Sequence, residues 1–245
     1  MTKPHWSYPL TRLGWSGIDW LFPPRCGGCG KAGSRWCSEC QSNVPRLQEP
    51  LCESCGTPVR GTGLCQRCRE DPPPYRALRS WAAFDSPIRP ALHKLKYRRD
   101  LGLGDALAIP LGRFVESLGW NFDAIVPIPL GEQRMKERGY NQIALIAKPL
   151  ALSKGFEYRP NALQRRRETR SQVGLSAAER RANVHQVFQA DARFVSGKII
   201  LVMDDVATTG ATLMSSAEAL LQAGAGQVYA ITVARALPHH GLNLI

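Results

Sequence analysis

Beyond residue 76 the apolar positions of this chain fall in blocks that switch between two periods. Leu78 to Phe84 is a short, mostly apolar run and predicts a strand. Ile88 to Tyr97 and Leu103 to Leu118 space their apolar residues three and four apart, which predicts two helices. Phe122 to Ile128 reads as a buried strand. Tyr140 to Leu152 reads as a helix, with Pro149 counting against its last turn. Lys198 to Met203 predicts a strand, Thr212 to Ala223 a helix closed by Gly224, and Gln227 to Ala234 a final strand. Strands alternating with helices predict an α/β fold whose sheet is mostly parallel and flanked by helices. Ligands of such sheets bind at the carboxyl ends of the strands.

Before residue 76 this pattern is missing and cysteine takes over. All eight cysteines lie between positions 26 and 68, as four Cys-x-x-Cys pairs: Cys26/Cys29, Cys37/Cys40, Cys52/Cys55 and Cys65/Cys68. Two intervening residues let one tight turn aim both sulfurs at one ion, and two such turns close a tetrahedral S4 zinc site. Glycines at Gly27, Gly28, Gly30 and Gly56 permit those turns. Eight cysteines therefore predict about two structural zinc ions. Sequential pairing joins 26, 29, 37 and 40, then 52, 55, 65 and 68. The short intervals favour it over interleaved pairing, first with third and second with fourth, which stays open. Four disulfides are the rival reading, and the absence of a signal-peptide pattern argues against it. A module of about 50 residues has too small a core to stand without such metal. Asp71-Pro72-Pro73-Pro74 reads as a stiff linker. The expected division is an N-terminal segment (1–20), a cysteine module (21–70), a linker (71–75) and an α/β domain (76–245).

No run of 18 apolar residues exists, so no membrane span is expected. Pro4, Pro9, Gly14 and Gly17 interrupt the N-terminal segment and leave no apolar core like that of a signal peptide, so a cytoplasmic protein is expected. The net charge is +12, which suits either nucleic acid or a substrate with several phosphates. Arg25, Lys31, Arg35, Trp36, Arg46, Arg60, Arg67 and Arg69 put cations beside an aromatic ring in the cysteine module. That module is either a brace for the second domain or a contact for single strands.

The chemistry concentrates in residues 199–213, Ile-Ile-Leu-Val-Met-Asp-Asp-Val-Ala-Thr-Thr-Gly-Ala-Thr-Leu. An apolar run ends in Asp204 and Asp205. Beyond Val206, itself a candidate substrate contact, the loop Ala207, Thr208, Thr209, Gly210, Ala211 and Thr212 offers hydroxyls and open backbone N–H groups, and a helix N-terminus points at the same place. Such a loop holds a phosphate. Two carboxylates repel one, and suit ribose hydroxyls or a divalent cation instead. Three further clusters fit the same site. Pro129 and Leu130 follow a strand and precede Arg134, Arg138 and the run Gly139-Tyr140-Asn141-Gln142, a candidate pyrophosphate loop. Lys96 ends a helix within reach of a phosphate. Arg165 to Leu175, with Gln172, reads as a loop that either closes over the site as a lid or holds a DNA backbone. Ser176 with Glu179 resembles a capping box.

The pattern Asp-Asp-Val-Ala-Thr-Thr-Gly-Ala-Thr resembles the signature of type I phosphoribosyltransferases. Together with the cysteine pairs, Leu95-Lys96-Tyr97, Val126-Pro127-Ile128-Pro129 and Arg138-Gly139-Tyr140-Asn141-Gln142, the chain from about Trp20 resembles the ComF family of competence-associated, GntX-like proteins. The resemblance implies a type I phosphoribosyltransferase fold preceded by a double zinc ribbon, and a sugar site for phosphoribosyl pyrophosphate with Mg²⁺. It also implies a role in DNA uptake, with single-stranded DNA and the uptake machinery as partners. Asp204 and Asp205 would take the ribose hydroxyls, and residues 207–212 the 5′-phosphate. A non-catalytic DNA-binding factor that keeps the sugar site as a sensor is the alternative.

Overall fold

A wholly parallel five-stranded sheet organises the chain beyond residue 76 in the computed structural model, which describes residues 23–98, 100–166 and 187–237. Two short helices, α1 (Ser38–Ser42) and α2 (Gln66–Glu70), belong to the cysteine module. There follow β1 (Leu78–Ala83), α3 (Ile88–Tyr97), α4 (Leu101–Ser117), β2 (Ala124–Pro127), α5 (Glu132–Arg138) and α6 (Gln142–Lys154). The rest is β3 (Glu157–Tyr158), β4 (Leu163–Arg165), β5 (Phe188–Ala190), α7 (Ala192–Val195), β6 (Ile199–Ala207), α8 (Ala211–Gln222) and β7 (Gln227–Arg235). The strand order is β1-β7-β6-β2-β3, and β4 and β5 form a separate antiparallel pair. The fold is the expected α/β class.

Alternation along β6 explains its unbroken apolar run. Leu201 and Met203 join one core with Trp81, Leu92, Leu107, Ile143 and Ile146, under α3, α4 and α6. Ile200 and Val202 join the other with Leu163, Phe188, Leu213 and Leu220, under α8 and the β4–β5 pair. A parallel strand covered on both faces has no polar side to show.

The structure departs from the periodicity in three places. The strand expected to end at Met203 runs on to Ala207, with Asp204 opposite Thr232 of β7. The acids therefore sit within the last turn of the pleat, held by ladder bonds, and not in a loop. Helix α6 passes through Pro149 and ends at Lys154. Proline removes the donor for the carbonyl four residues earlier, which is Leu145 O. Gly104 of α4 packs against that carbonyl, where a Cβ would come within 2.7 Å. The break is thus used for close helix contact. Finally, Arg165, expected to open a loop, closes a short strand, β4, paired with Phe188–Ala190.

The cysteine module lies along β1, the outermost strand on its side. Leu78 N donates to Ser54 O and Ala83 N to Pro45 O, both at 2.7 Å. Arg46 Nη1 reaches Trp81 O at 2.9 Å while its guanidinium covers the Trp81 ring. Gly56, with φ +67°, lies so close that a Cβ would stand 2.5 Å from Leu78 O. On the helical side, Lys94 Nζ donates to Cys26 O at 2.7 Å.

Candidate functional site

The eight thiols form two groups, Cys26/Cys29/Cys37/Cys40 and Cys52/Cys55/Cys65/Cys68, with the sulfurs of each within 4.8 Å of one another. Pairing is sequential. Backbone N–H groups point at the sulfurs: Cys37 N at Cys26 Sγ, Cys40 N at Cys37 Sγ, and Cys65 N at Cys52 Sγ. Burial opposes ionisation of Cys26, but the N–H groups of Cys37, Cys29 and Gly28 outweigh it and bring the thiol down to about 6. Cys52 is brought to about 6 in the same way by Cys65, Cys55 and Ser54. Burial pushes Cys40 and Cys68 the other way. Four soft ligands with stabilised thiolates fit structural Zn²⁺ in each group.

Several ribbon cations are engaged by the chain itself. Arg35 faces Asp100 at 3.8 Å and packs over Gly102. Trp36 lies against Trp81, ring centroids 6.3 Å apart, and donates to Gln41. Lys31 pairs with Glu39, and Arg67 Nη1 donates to Thr209 O. Arg25, Arg60 and Arg69 remain exposed. These contacts, with those along β1, tie the module to the second domain as a brace would.

The sugar-phosphate candidate is built on β6 and α8. After Ala207, which is buried, the chain turns through Thr208 and Thr209, both exposed, to Gly210. Gly210 has φ +79°, a conformation that favours glycine, and it starts α8 with no side-chain cap. Ala211 N reaches Thr209 Oγ1 at 3.4 Å. Thr209 thus takes the first N–H of the helix, and Gly210 has no side chain to cap the N–H groups that follow, a helix start suited to an anion. Thr212 is exposed in the first turn, while Val206 and Ala211 are half-buried.

The two acids are distinct. Asp205 is buried, and its Oδ2 accepts from Lys96 Nζ and from Gln142 Nε2, each at 2.7 Å. Asp204 is half-buried and accepts from Asp205 N at 2.8 Å through Oδ1. Burial, and then the like charge of Asp205, push the Asp204 carboxyl up to about 7 against the pull of Lys96 and Arg165. Arg138 donates to Gln142 Oε1 and lies over the Tyr97 ring at 5.5 Å. A chain of contacts therefore runs from α5 through α6 to Asp205. Lys96, Tyr97, Glu137, Arg138 and Tyr140 line a cavity of about 160 Å³ beside it.

Of the other expected site residues, Pro129 and Leu130 are half-buried at the end of β2, next to β6. Ile128 N bonds Met203 O, and Asn141 Nδ2 bonds Ile128 O, which fixes that turn. Arg134 stands exposed on α5, a helix with no buried residue. Gln172 and the capping box at Ser176 and Glu179 lie outside the described residues. Three residues make contacts that the sequence did not foretell. Gln142 closed a recognisable run but gave no sign of its partner on β6. Arg67 was read only as one of the ribbon cations and Arg235 was not singled out, because their contacts join the ribbon to the rest of the chain.

Among the described residues no helix is long and apolar enough to cross a membrane. Residues 17–69 match the double zinc ribbon domain family. The DNA utilization protein YhgH of Escherichia coli is 34% identical over 207 residues, covering 82% of this chain and 90% of the relative. Competence protein F of Haemophilus influenzae is 28% identical over 209 residues, covering 82% and 90%. Adenine phosphoribosyltransferase of Thermoanaerobacter pseudethanolicus is similar over 62% of this chain and 87% of its own, at 16% identity and a TM-score of 0.39. The ribbon cysteines, the parallel sheet and the relatives aligned along most of its length place this chain in the ComF family, the family of DNA utilization protein YhgH and competence protein F.

Proposed function

We propose that this protein is a phosphoribosyltransferase-like member of its family that binds phosphoribosyl pyrophosphate with Mg²⁺ and serves DNA uptake. The observation that carries the reading is the junction of β6 and α8. There, two carboxylates with separate environments stand beside an uncapped helix N-terminus and an open Thr-Thr-Gly turn. Asp204 and Asp205 would hold the ribose hydroxyls, and residues 207–212 the 5′-phosphate. The turn at Pro129 and Leu130, with Arg134, Arg138 and Lys96, would face the pyrophosphate from β2. Mg²⁺, bound with the substrate, supplies countercharge to the leaving pyrophosphate. Because positive charge develops on the sugar, the side chains act mainly by position and electrostatics. The setting in DNA uptake rests on the competence relatives. The division into a ribbon module to residue 70 and a domain from residue 76 belongs to the same reading.

Calorimetric titration tests it. Wild-type protein should bind phosphoribosyl pyrophosphate in the presence of Mg²⁺, and Asp204→Asn with Asp205→Asn should abolish binding. No binding by the wild type sinks the reading.

A second reading is a non-catalytic binder of single-stranded DNA. It is favoured by Tyr97, 64% exposed, with the His93 ring tilted against it at 4.7 Å and Arg138 over its ring. Exposed aromatics among cations hold single strands by stacking and charge. A labelled single-stranded oligonucleotide should bind with strong salt dependence, and no binding at low salt removes this reading.

A further inference from the structure

The phosphate loop has no cation of its own: residues 204–212 contain two acids, three threonines and no basic residue. A phosphate monoester carries close to two negative charges near pH 7. Hydroxyls and backbone N–H groups can bind it, but nothing within the loop balances its charge. A cation of the ribbon stands beside the loop. Arg67 lies between Cys65 and Cys68, on α2 of the second ribbon. Its Nη1 donates to Thr209 O, and its Nη2 stands 3.7 Å from Met214 Sδ on α8. A carbonyl and a thioether are weak partners for a guanidinium with five N–H donors. Among the described residues no carboxylate pairs with it.

A cavity of about 260 Å³ opens between ribbon and loop, walled by Arg67, Tyr75, Thr208, Thr209, Gly210 and Arg235, with Asp71 and the zinc-ligand thiols Cys55, Cys65 and Cys68 on its ribbon side. Arg235, at the end of β7, is 5% exposed. It donates to Thr57 Oγ1 and Cys55 O, yet its buried Nε has no acceptor. Such an orphaned buried donor is costly unless a ligand or water meets it. At Gly210 the nearest atom that a Cβ would meet is Tyr75 Oη, 3.7 Å away, so the turn is open on the side facing the cavity.

We propose that Arg67 of the second zinc ribbon is the guanidinium that binds the 5′-phosphate of the sugar-phosphate ligand, so that the ribbon forms one wall of the binding site. The proposal rests on the reading of residues 204–212 as a sugar-phosphate site. The ligand chemistry is a phosphate monoester on a pentose. Rotation of Arg67 away from Thr209 O would place its N–H pair on the phosphate, with Arg235 fixing the ribbon behind it.

Ribose 5-phosphate carries only the phosphate end of the ligand, and pyrophosphate with Mg²⁺ only the leaving end. Calorimetry with both probes, and with phosphoribosyl pyrophosphate, separates them. Arg67→Ala should weaken ribose 5-phosphate and phosphoribosyl pyrophosphate about tenfold and leave pyrophosphate unchanged. Arg67→Lys should recover part of the loss. Arg69→Ala, an exposed cation two residues away, should match wild type. Zinc content equal to wild type shows that the ribbon is intact. If Arg67→Ala binds ribose 5-phosphate as the wild type does, or if Arg69→Ala weakens it equally, the proposal is overturned while the sugar-site reading stands. If the wild type binds neither ribose 5-phosphate nor phosphoribosyl pyrophosphate, that reading falls first.

Discussion

Lys96 Nζ and Asp205 Oδ2 meet at 2.7 Å, joining the C-terminal turn of α3 to the last residues of β6. The Asp205 side chain is 10% exposed and that of Lys96 24%, so solvent screens the pair little.

Removing the ammonium leaves a buried carboxylate with Gln142 as its remaining side-chain donor. Lys96→Met should cost about 2 kcal/mol of stability, below the range for fully buried pairs because the lysine is partly wet. Urea unfolding measures it. The double variant with Asp205→Asn should recover most of the loss, and additive losses would show that the pair is not coupled.

Asp204 predicts an unusual pH profile. Its carboxyl is raised from 3.8 to about 7 in the folded chain, by burial and then by Asp205. Between those values the folded chain holds a proton that the unfolded chain has released. Its contribution to stability therefore falls as pH rises through that window and levels off above it. Asp204→Asn should match wild type near pH 4 and be more stable at pH 8, by at most about 4 kcal/mol. Thermal unfolding at the two pH values checks this. An equal shift at both would contradict it.

Gly56 and Gly30 separate strain from collision. Both have positive φ, +67° and +81°, but a Cβ at Gly56 would stand 2.5 Å from Leu78 O, and one at Gly30 would meet nothing within 4 Å. Gly30→Ala should cost about 1 kcal/mol, and Gly56→Ala about 2–3 kcal/mol, since backbone must move. Equal losses in chemical denaturation would mean that the ribbon yields at this contact.

Metal analysis should find about two zinc ions per chain. Without the ion, backbone N–H groups bring Cys26 and Cys52 to about 6, so both already favour the thiolate that zinc needs at neutral pH. Zinc should be retained against a competing chelator at pH 7.5 and lost progressively in acid, at a pH below 6, because the bound ion holds its thiolates against protonation. Tryptophan emission should shift red with the loss, because Trp36 and Trp81 pack together behind the first ribbon. Zinc loss independent of pH would contradict the thiolate assignment.

Periodicity alone places the main strands and helices because each is a single buried stripe or run. The helix over Ile88–Tyr97 matches to the residue. Short elements escape it: β3 has two residues and β4 three, too few to alternate. Pro149 misleads because its cost is met by a tertiary contact, Leu145 O against Gly104. The acids and the phosphate loop are legible as a local run. Lys96 and the run ending in Gln142 are legible as members of the same site, but their meeting on Asp205 and the reach of Arg67 to Thr209 are not, since these residues come from three other elements that only the fold brings together.

The ribbon's bonds to β1 have a consequence beyond anchoring. β1 is an outer strand, and on its open side Leu78 N is taken by Ser54 O, Ala83 N by Pro45 O and Trp81 O by Arg46. An outer strand with bare N–H and C=O groups is a template for another chain. Here the cover over that template is a segment whose fold depends on zinc. A chain starved of the metal would lose more than a brace: it would bare a sticky sheet edge. Aggregates, and not a soluble half-folded form, are the expected product of zinc depletion.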